Sequence, residues 1–262
     1  SPAGHMPMED PRTGNQIVHN GEIYNHQELA AELSLRLIKS RTDTEVILAA
    51  YDKYGEDCVK YFNGIFAFVI WDARAKKLFC ARDRVGVKPL IYTYFNDKVY
   101  LASEAKALFA AGVPKAMNKT VAHEYLTQGT YDHSTATFFD GIEQLAPAHT
   151  MTISAKGIEK KRYWDLSEAE PSQGSFPISN TRDDDEIAEL FRDLVTDAIK
   201  LQLRTDTPLA VHVSGGLDSM LLMTIINQLN NGQGTLKALS QIYGDDRYDE
   251  KPHVDVFSKE LR

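Results

Sequence analysis

Residues 208–229, PLAVHVSGGLDSMLLMTIINQL, constrain this chain more than any other stretch. Leu209, Val211 and Val213 alternate with smaller or polar residues, the two-residue period of a short strand. Ser214-Gly215-Gly216 breaks that strand. Leu217, Leu221, Leu222, Ile225, Ile226 and Leu229 then recur at helical spacing. The expectation is strand, tight glycine turn, helix. Such a turn directs backbone N–H groups and a helix N-terminus at one point, which suits phosphate. Two glycines let the backbone approach a ligand with no Cβ in the way. Ser214 and Ser219 can add hydroxyl donors. Asp218 repels phosphate unless a cation bridges the two, so it points to Mg²⁺ carried with a nucleotide. For SGG alone, a plain strand–helix turn with an acidic first turn is an equal alternative.

The chain has 262 residues, enough for one large domain or two. Its net charge of −8 argues against a general nucleic-acid footprint. The sequence shows no apolar run of membrane-spanning length and no signal peptide, so the expectation is a cytoplasmic protein. Cys58 and Cys80 are too few for a disulfide framework and are expected in or near the core. No Cys/His cluster has zinc spacing, and each of the eight histidines is expected to be structural or superficial.

Taken in order, Ile17-Val18 reads as a strand that gives way to a polar glycine turn at His19–Asn25. Residues 26–37 read as a short amphipathic helix. A second helix starts at Thr42 or Asp43 as cap and stops at Gly55, followed by a short helix over about 56–61. From Asn63 the period becomes two. Ile65–Trp71 and Leu78–Asp83 read as paired strands, with Phe66, Phe68 and Trp71 expected in the core. Leu90–Tyr94 and Val99–Ala102 read as a hairpin across Asn96-Asp97. Helices are expected over 103–111 and 118–128, a strand from Phe138 to Ile142, and a closing hairpin from 149–154 and 160–164. Residues 166–184 are rich in Pro, Ser, Gly and acids and read as a linker. A helix over 185–203 precedes the glycine-turn unit, residues 237–243 complete a βαβ unit, and 252–261 read as helical.

Several separated motifs now agree. HNGEIYNHQEL at 19–29, TDTEVI at 42–47, NGIFAFVIWD at 63–72, ARDRVGVKPL at 81–90, LASEAKAL at 101–108, RYWDL at 162–166 and SGGLDS at 214–219 occur in this order. Together they resemble the glutamine-dependent asparagine synthetases and their amidotransferase relatives, and SGGLDS resembles the PP-loop of ATP pyrophosphatases. The resemblance implies an α+β N-terminal-nucleophile αββα sandwich over 1–165, the linker at 166–184, and the start of an α/β PP-loop domain over 185–262. The first domain would release ammonia from glutamine. The second would adenylate a carboxylate, aspartate in the asparagine synthetases, with ATP and Mg²⁺. Tunnelled ammonia would then give the amide, AMP and pyrophosphate.

By the same resemblance, Asn20 and Gly21 form the oxyanion hole, a role that suits donors aimed at a developing charge. Glu22 and Asp43 line the glutamine site, where a carboxylate can hold the α-ammonium. His212, Ser214, Gly215, Gly216, Asp218, Ser219 and Gln241 fall in the ATP site, with Asp218 the metal residue. Arg82, Asp83, Lys88 and Glu104 would lie near the domain interface and tunnel, with ordinary ion pairing as the alternative. Partners implied are glutamine, ATP and aspartate, without nucleic acid or membrane, and the resemblance allows a homodimer.

Three features depart from the family. No cysteine stands at a free N-terminus, and neither Cys58 nor Cys80 can offer its own α-amine as base. The family's acidic SGEGADE-like loop and downstream lysine are not in the sequence. His212, Met220 and Gln241-Ile242 replace an aliphatic residue, a serine and an Ile-Gly or Val-Gly pair. The expectation is therefore a segment of a glutamine-hydrolysing asparagine synthetase that by itself releases no ammonia and binds Mg-ATP weakly. Two alternatives stay open: an amidotransferase acting on another carboxylate, β-lactam-forming or peptide-amidating, and a non-catalytic binding or scaffold protein that keeps the fold.

Overall fold

The computed structural model describes residues 4–33, 42–168, 183–204, 209–230, 237–245, 247 and 249–260. The chain divides into two units, Ser1–Ser172 and Gln173–Arg262. The linker expected at 166–184 and the helix expected over 34–37 fall largely outside the described residues.

The first unit begins with β1 (Met8–Glu9) and β2 (Gln16–Ile23), followed by α1 (His26–Glu32) and α2 (Asp43–Tyr54). A 3₁₀ helix, Gly55–Tyr61, leads to β3 (Gly64–Asp72) and β4 (Lys77–Arg82). The hairpin β5 (Ile91–Phe95) and β6 (Lys98–Ala102) precedes α3 (Ala105–Ala110) and α4 (Lys119–Gln128). The unit closes with β7 (Glu143–Gln144), β8 (His149–Ser154) and β9 (Gly157–Arg162). One sheet runs β1-β2-β3-β4-β8-β9 and the other β6-β5-β7, and every pairing in both is antiparallel.

Side-chain alternation turns these sheets into layers. On one face of the large sheet, Ile17, Ile23, Phe66, Phe68, Ile70 and Phe79 pack with Val46, Ile47 and Tyr51 of α2 and with Phe62. On the other face, Ala67, Cys80 and Met151 meet Leu90, Tyr92 and Leu145 of the small sheet's side. The far face of the small sheet packs Ile91, Phe95 and Tyr100 against Leu108 and Phe109 of α3. The order is helix, sheet, sheet, helix, the αββα sandwich.

Local chemistry sets the ends of the elements. Thr42 caps α2, its hydroxyl accepting the Glu45 N–H, and Gly55 stops that helix at φ 61°. Asn118 caps α4 by accepting from the Thr120 and Val121 N–H groups. Asn96 and Asp97 take φ of 50° and 56°, the two positive values that a tight hairpin turn requires.

The short helix expected over about 56–61 is present as the 3₁₀ helix. Three expectations need correction. His19–Glu22 is strand, not turn: β2 runs through it in register with Ile65–Phe68. Phe138–Ile142 carries no strand beyond a bridge at Phe139, and the expected pairing instead falls on Glu143–Gln144. Trp71 is exposed, because the alternation that buries Phe66, Phe68 and Ile70 turns it away from the helices near the sheet's end.

In the second unit, α5 (Asp184–Gln202) precedes β10 (Ala210–His212), α6 (Leu217–Asn230), β11 (Lys237–Leu239) and α7 (Lys251–Glu260). Strands β10 and β11 pair in parallel, Ala210 with Lys237 through His212 with Leu239, so the expected βαβ unit forms.

Gly21 is where β2 and β3 come too close for a side chain. Its φ is 142°, and an added Cβ would lie 2.7 Å from Phe66 Cα and closer still to the Ile65 carbonyl oxygen. Gly21→Ala is expected to destabilise the first unit by about 3 kcal/mol, from positive-φ strain and backbone overlap together. Urea unfolding followed by circular dichroism measures it, and an unchanged midpoint would contradict the register.

Candidate functional site

Strand β2 divides its groups between three directions. Ile17, His19 and Ile23 turn toward the helices, and their burial alternates with the exposure of Val18, Asn20 and Glu22. Val18 is 46% exposed and lies beside Asn20 on the inner face. Together with Ala67, Val69, Leu90, Leu101 and Ser103 these two residues line a cavity of about 350 Å³ between the sheets. Asn20 Nδ2 donates to Ser103 Oγ at 3.3 Å, so the small sheet orients the carboxamide from across the cavity. Ser103 was not singled out in the sequence, and its only signal there is its place in LASEAKAL.

The third direction is the strand edge away from β3. The His19 N–H points there, donating to Met6 Sδ at 3.1 Å, as does the Ile23 N–H, donating to Asp43 Oδ2 at 2.9 Å. The period of two places the Gly21 N–H on the same edge, halfway between them. Asn20 and Gly21 are therefore neighbours with different directions, one presenting its side-chain amide to the cavity and the other its backbone N–H along the strand edge. Asp43 is not the helix cap. It is the first residue of α2, its side chain is 15% exposed, and one of its oxygens is committed to β2. Glu22 shares the face of Asn20 and is exposed.

Arg82 and Asp83 are hydrogen-bonded to the loop that follows β4. Asp83 is fully buried and accepts the N–H groups of Phe66, Val85, Val87 and Lys88 at 2.9–3.2 Å. Arg82 donates to the carbonyls of Lys88, Leu145 and Gly86 and to Gln144 Oε1. Burial pulls the guanidinium pKa below its ordinary value. These two side chains fold the 83–90 loop onto both sheets. Lys88 enters through its backbone, and Glu104 is exposed beside Lys106 at 2.5 Å. Arg82, Asp83 and the Lys88 backbone support the loop by hydrogen bonds, and Glu104 carries the ordinary ion pairing given as the alternative.

Neither cysteine is equipped to attack a substrate. Both thiols are free and buried. Burial pushes the Cys80 thiol up to about 12 and the Cys58 thiol higher, where the thiolate is absent at neutral pH.

In the second unit the glycine turn is stitched by its own serines. Ser219 Oγ accepts the Ser214 N–H at 3.0 Å and lies 3.0 Å from Ser214 Oγ, which accepts the Gly216 N–H at 3.3 Å. The Ser214 and Gly216 carbonyls are both 3.1 Å from Ser219 Oγ, whose single proton can serve one of them at a time. The serines expected as ligand donors thus also shape the loop. Ser240 Oγ donates to the Val213 carbonyl at 2.8 Å and ties the turn to the end of β11. Asp218 is exposed in the first turn of α6, and His212 and Gln241 are exposed at the ends of the two strands. A Cβ on Gly215 would lie 3.3 Å from Glu250 and His253 at the start of α7, so that glycine keeps the helix close. Sequence reading missed His253, whose approach depends on the packing of α7. Among the described residues no three His, Cys, Asp or Glu side chains converge to hold a metal ion.

Residues 1–164 match a family described as glutamine amidotransferase domain, and residues 190–262 match one described as asparagine synthase. The chain is 39% identical over 227 residues to the glutamine-hydrolyzing asparagine synthetase 3 of Bacillus subtilis (strain 168), covering 85% of this chain and 36% of that protein. It is 33% identical over 230 residues to asparagine synthetase 1 of the same organism, covering 87% and 35%. It is 32% identical over 241 residues to amidase chry2 of Gibberella zeae, covering 90% and 34%. The chain spans about a third of the length of these relatives.

Asp83→Ala strands four backbone donors and is expected to cost about 3–5 kcal/mol in urea unfolding, while Glu104→Ala stays within about 0.5 kcal/mol. Equal effects would contradict the assignment of Asp83 to the loop. A thiol reagent at pH 8 is expected to label neither cysteine until the first unit is unfolded. Rapid labelling of the native chain would contradict the burial of Cys58 and Cys80.

Proposed function

The chain belongs to the glutamine amidotransferases, continued by an asparagine synthase segment, and from that we propose that it serves glutamine-dependent synthesis of an amide. The first unit contributes to ammonia release from glutamine, and the second binds the ATP that activates the acceptor carboxylate. The acceptor in this reading is aspartate and the product asparagine, with AMP, pyrophosphate and glutamate. The observation that carries the reading is the Asn20 carboxamide held in the inter-sheet cavity by Ser103, with the Gly21 N–H on the adjoining strand edge.

When the γ-amide carbonyl of glutamine is attacked, negative charge gathers on its oxygen. The Asn20 carboxamide and the Gly21 N–H are two donors on a rigid strand, and each such donor is worth about 10²–10³-fold in rate. Asn20 retains a second amide proton for the oxyanion while the first is held by Ser103. Glu22, on the same face, offers a carboxylate for the substrate's α-ammonium. Asp43, whose Oδ2 accepts the Ile23 N–H and whose Oδ1 faces the Thr44 hydroxyl, supports the strand beside that cation and adds its negative charge.

In the second unit, the glycine turn at the start of α6 receives the phosphates. One exposed carboxylate beside a phosphate cradle is a donor set that fits Mg²⁺, which takes few protein ligands and completes its shell with phosphate and water. Bound there, the ion would neutralise the pyrophosphate leaving group, with Asp218 as its protein ligand. His212 and Gln241 flank the strand ends on the nucleotide's side of this reading. Two free, buried thiols suit a reducing compartment, and we assign the protein to the cytoplasm.

A second reading differs only in the acceptor. The likeness to amidase chry2 covers as much of this chain as the likeness to the asparagine synthetases, and it favours an amidotransferase acting on a different carboxylate.

Saturation-transfer NMR on the purified chain tests both halves. L-Glutamine is expected to bind weakly, and Asn20→Ala to reduce binding by about fivefold, the value of one hydrogen bond. Mg-ATP is expected to bind in the millimolar range and to shift the Gly215 and Gly216 amides, with Asp218→Asn abolishing the Mg²⁺ dependence. Absence of both ligands at tens of millimolar would overturn the proposal.

A further inference from the structure

Behind the two donors, on the opposite face of their strand, lies a buried relay. His19 precedes Asn20 and turns its ring toward α2, where the side chain is 1% exposed. Nδ1 lies 3.2 Å from Thr44 Oγ1 and 3.9 Å from Asp43 Oδ2. Thr44 Oγ1 lies 3.5 Å from Asp43 Oδ1, and Asp43 Oδ2 accepts the Ile23 N–H. Nε2 is buried and, among the described residues, the one buried side-chain polar atom without a partner.

One placement of protons satisfies the chain. His19 Nδ1–H donates to Thr44 Oγ1, the Thr44 hydroxyl donates to Asp43 Oδ1, and Oδ2 takes the Ile23 N–H. The other tautomer would bury an N–H at Nε2 with no acceptor, which is the more costly kind of orphan. Nε2 is therefore a bare lone pair, and the ring is neutral with its proton on Nδ1.

The first turn of α2 thus grips β2 at His19 and again at Ile23, on either side of Asn20-Gly21-Glu22. We infer that His19, acting through Thr44 and Asp43, is a positioning residue that fixes the direction of the Asn20 carboxamide and the Gly21 N–H. This rests on the reading of those two groups as the oxyanion donors. His19 is among the residues that line the cavity, but its side chain is 1% exposed and Thr44 is buried, so neither side chain is open to a substrate and neither is a catalytic residue.

The grip has a defined pH dependence. From α2, Asp43 favours the imidazolium. From the loop after β4, Lys88 opposes it. Phe68, opposite His19 on β3, and Met6, which accepts its backbone N–H, carry no charge. Burial is the largest influence and holds the His19 pKa below its ordinary 6.5. The unfolded chain therefore takes up a proton at higher pH than the folded chain does. The stability that neutral His19 contributes is complete above pH 6.5 and is lost as pH falls through the lower folded value.

Two-bond ¹H–¹⁵N NMR on the whole chain reads the ring directly. The Nδ1–H tautomer is expected at pH 7, and on acidification the Gly21 amide and the Asn20 side-chain amide are expected to shift with the ring's own midpoint. His19→Asn keeps a donor at the Nδ1 position but does not titrate. It is expected to preserve both neutral-pH shifts and glutamine binding while removing the acid step. His19→Leu is expected to displace both signals at every pH and to weaken glutamine binding about fivefold. The Nε2–H tautomer, or a ring that titrates while Gly21 and Asn20 do not respond, would overturn the inference. If His19→Leu does not fold, the wild-type tautomer and titration decide alone. Coupling without glutamine binding would leave the inference standing and refute the glutaminase reading.

Discussion

No side chain fits between β2 and β3 at Gly21, and the first unit is organised around that close approach. The backbones can meet there because Gly21 lacks a Cβ, and Gly64, two residues before Phe66, meets the Glu22 carbonyl in the same way. The resulting register places Phe68 opposite His19 and Ala67 opposite Asn20. A one-residue slip would either carry Phe66, Phe68 and Ile70 out of the helical core or put Asn20 into it, according to which strand turns over. The backbone contact, the packing of the core and the direction of the candidate donors are one constraint seen at three scales.

The elements around β2 then act as supports. The first turn of α2 holds the strand from the helical side through Thr44 and Asp43. Ser103 holds the Asn20 side chain from the cavity side. Asp83 ties Phe66, the β3 partner of Gly21, to the 83–90 loop, and Arg82 ties that loop to Gln144 and Leu145 at the end of β7. Such supports matter for a site that acts by electrostatic stabilisation. A donor contributes to a transition state only if it is already in place and need not reorganise. The second unit follows the same principle with different parts, since its serines brace a turn in which Gly215 lets a neighbouring helix approach.

Much of this was legible from local chemistry. Asn96-Asp97 announced its hairpin because few residue pairs tolerate two positive φ values. Thr42, Asn118 and Gly55 marked helix ends because capping is a contact between near neighbours. The βαβ unit followed from a change in hydrophobic period. The misreadings share a physical cause. HNGE has the composition of a turn, and only pairing with Ile65–Phe68 makes it a strand. Trp71 closes an apolar run, but it shares the parity of Ala67 and Val69 and so points away from the helical core. The loop-bracing bonds of Arg82 and Asp83 are not legible in the sequence, because Gln144 and Leu145 lie some sixty residues from Arg82 and the donors around Asp83 converge only once β3 and the 83–90 loop are folded together. Asn20 and Gly21 were identifiable by motif, whereas Ser103, Thr44 and His19 become visible only when three elements are folded against one strand.

The central claim is that β2 holds an open donor at Gly21 within an otherwise committed strand. Amide hydrogen exchange on the native chain tests it residue by residue. Asn20 and Glu22, whose N–H groups face β3, and Ile23, held by Asp43, should exchange slowly. Gly21, between them, should exchange faster by orders of magnitude. Protection of Gly21 equal to that of its neighbours would mean that its N–H already has a partner, and the site as described would be wrong.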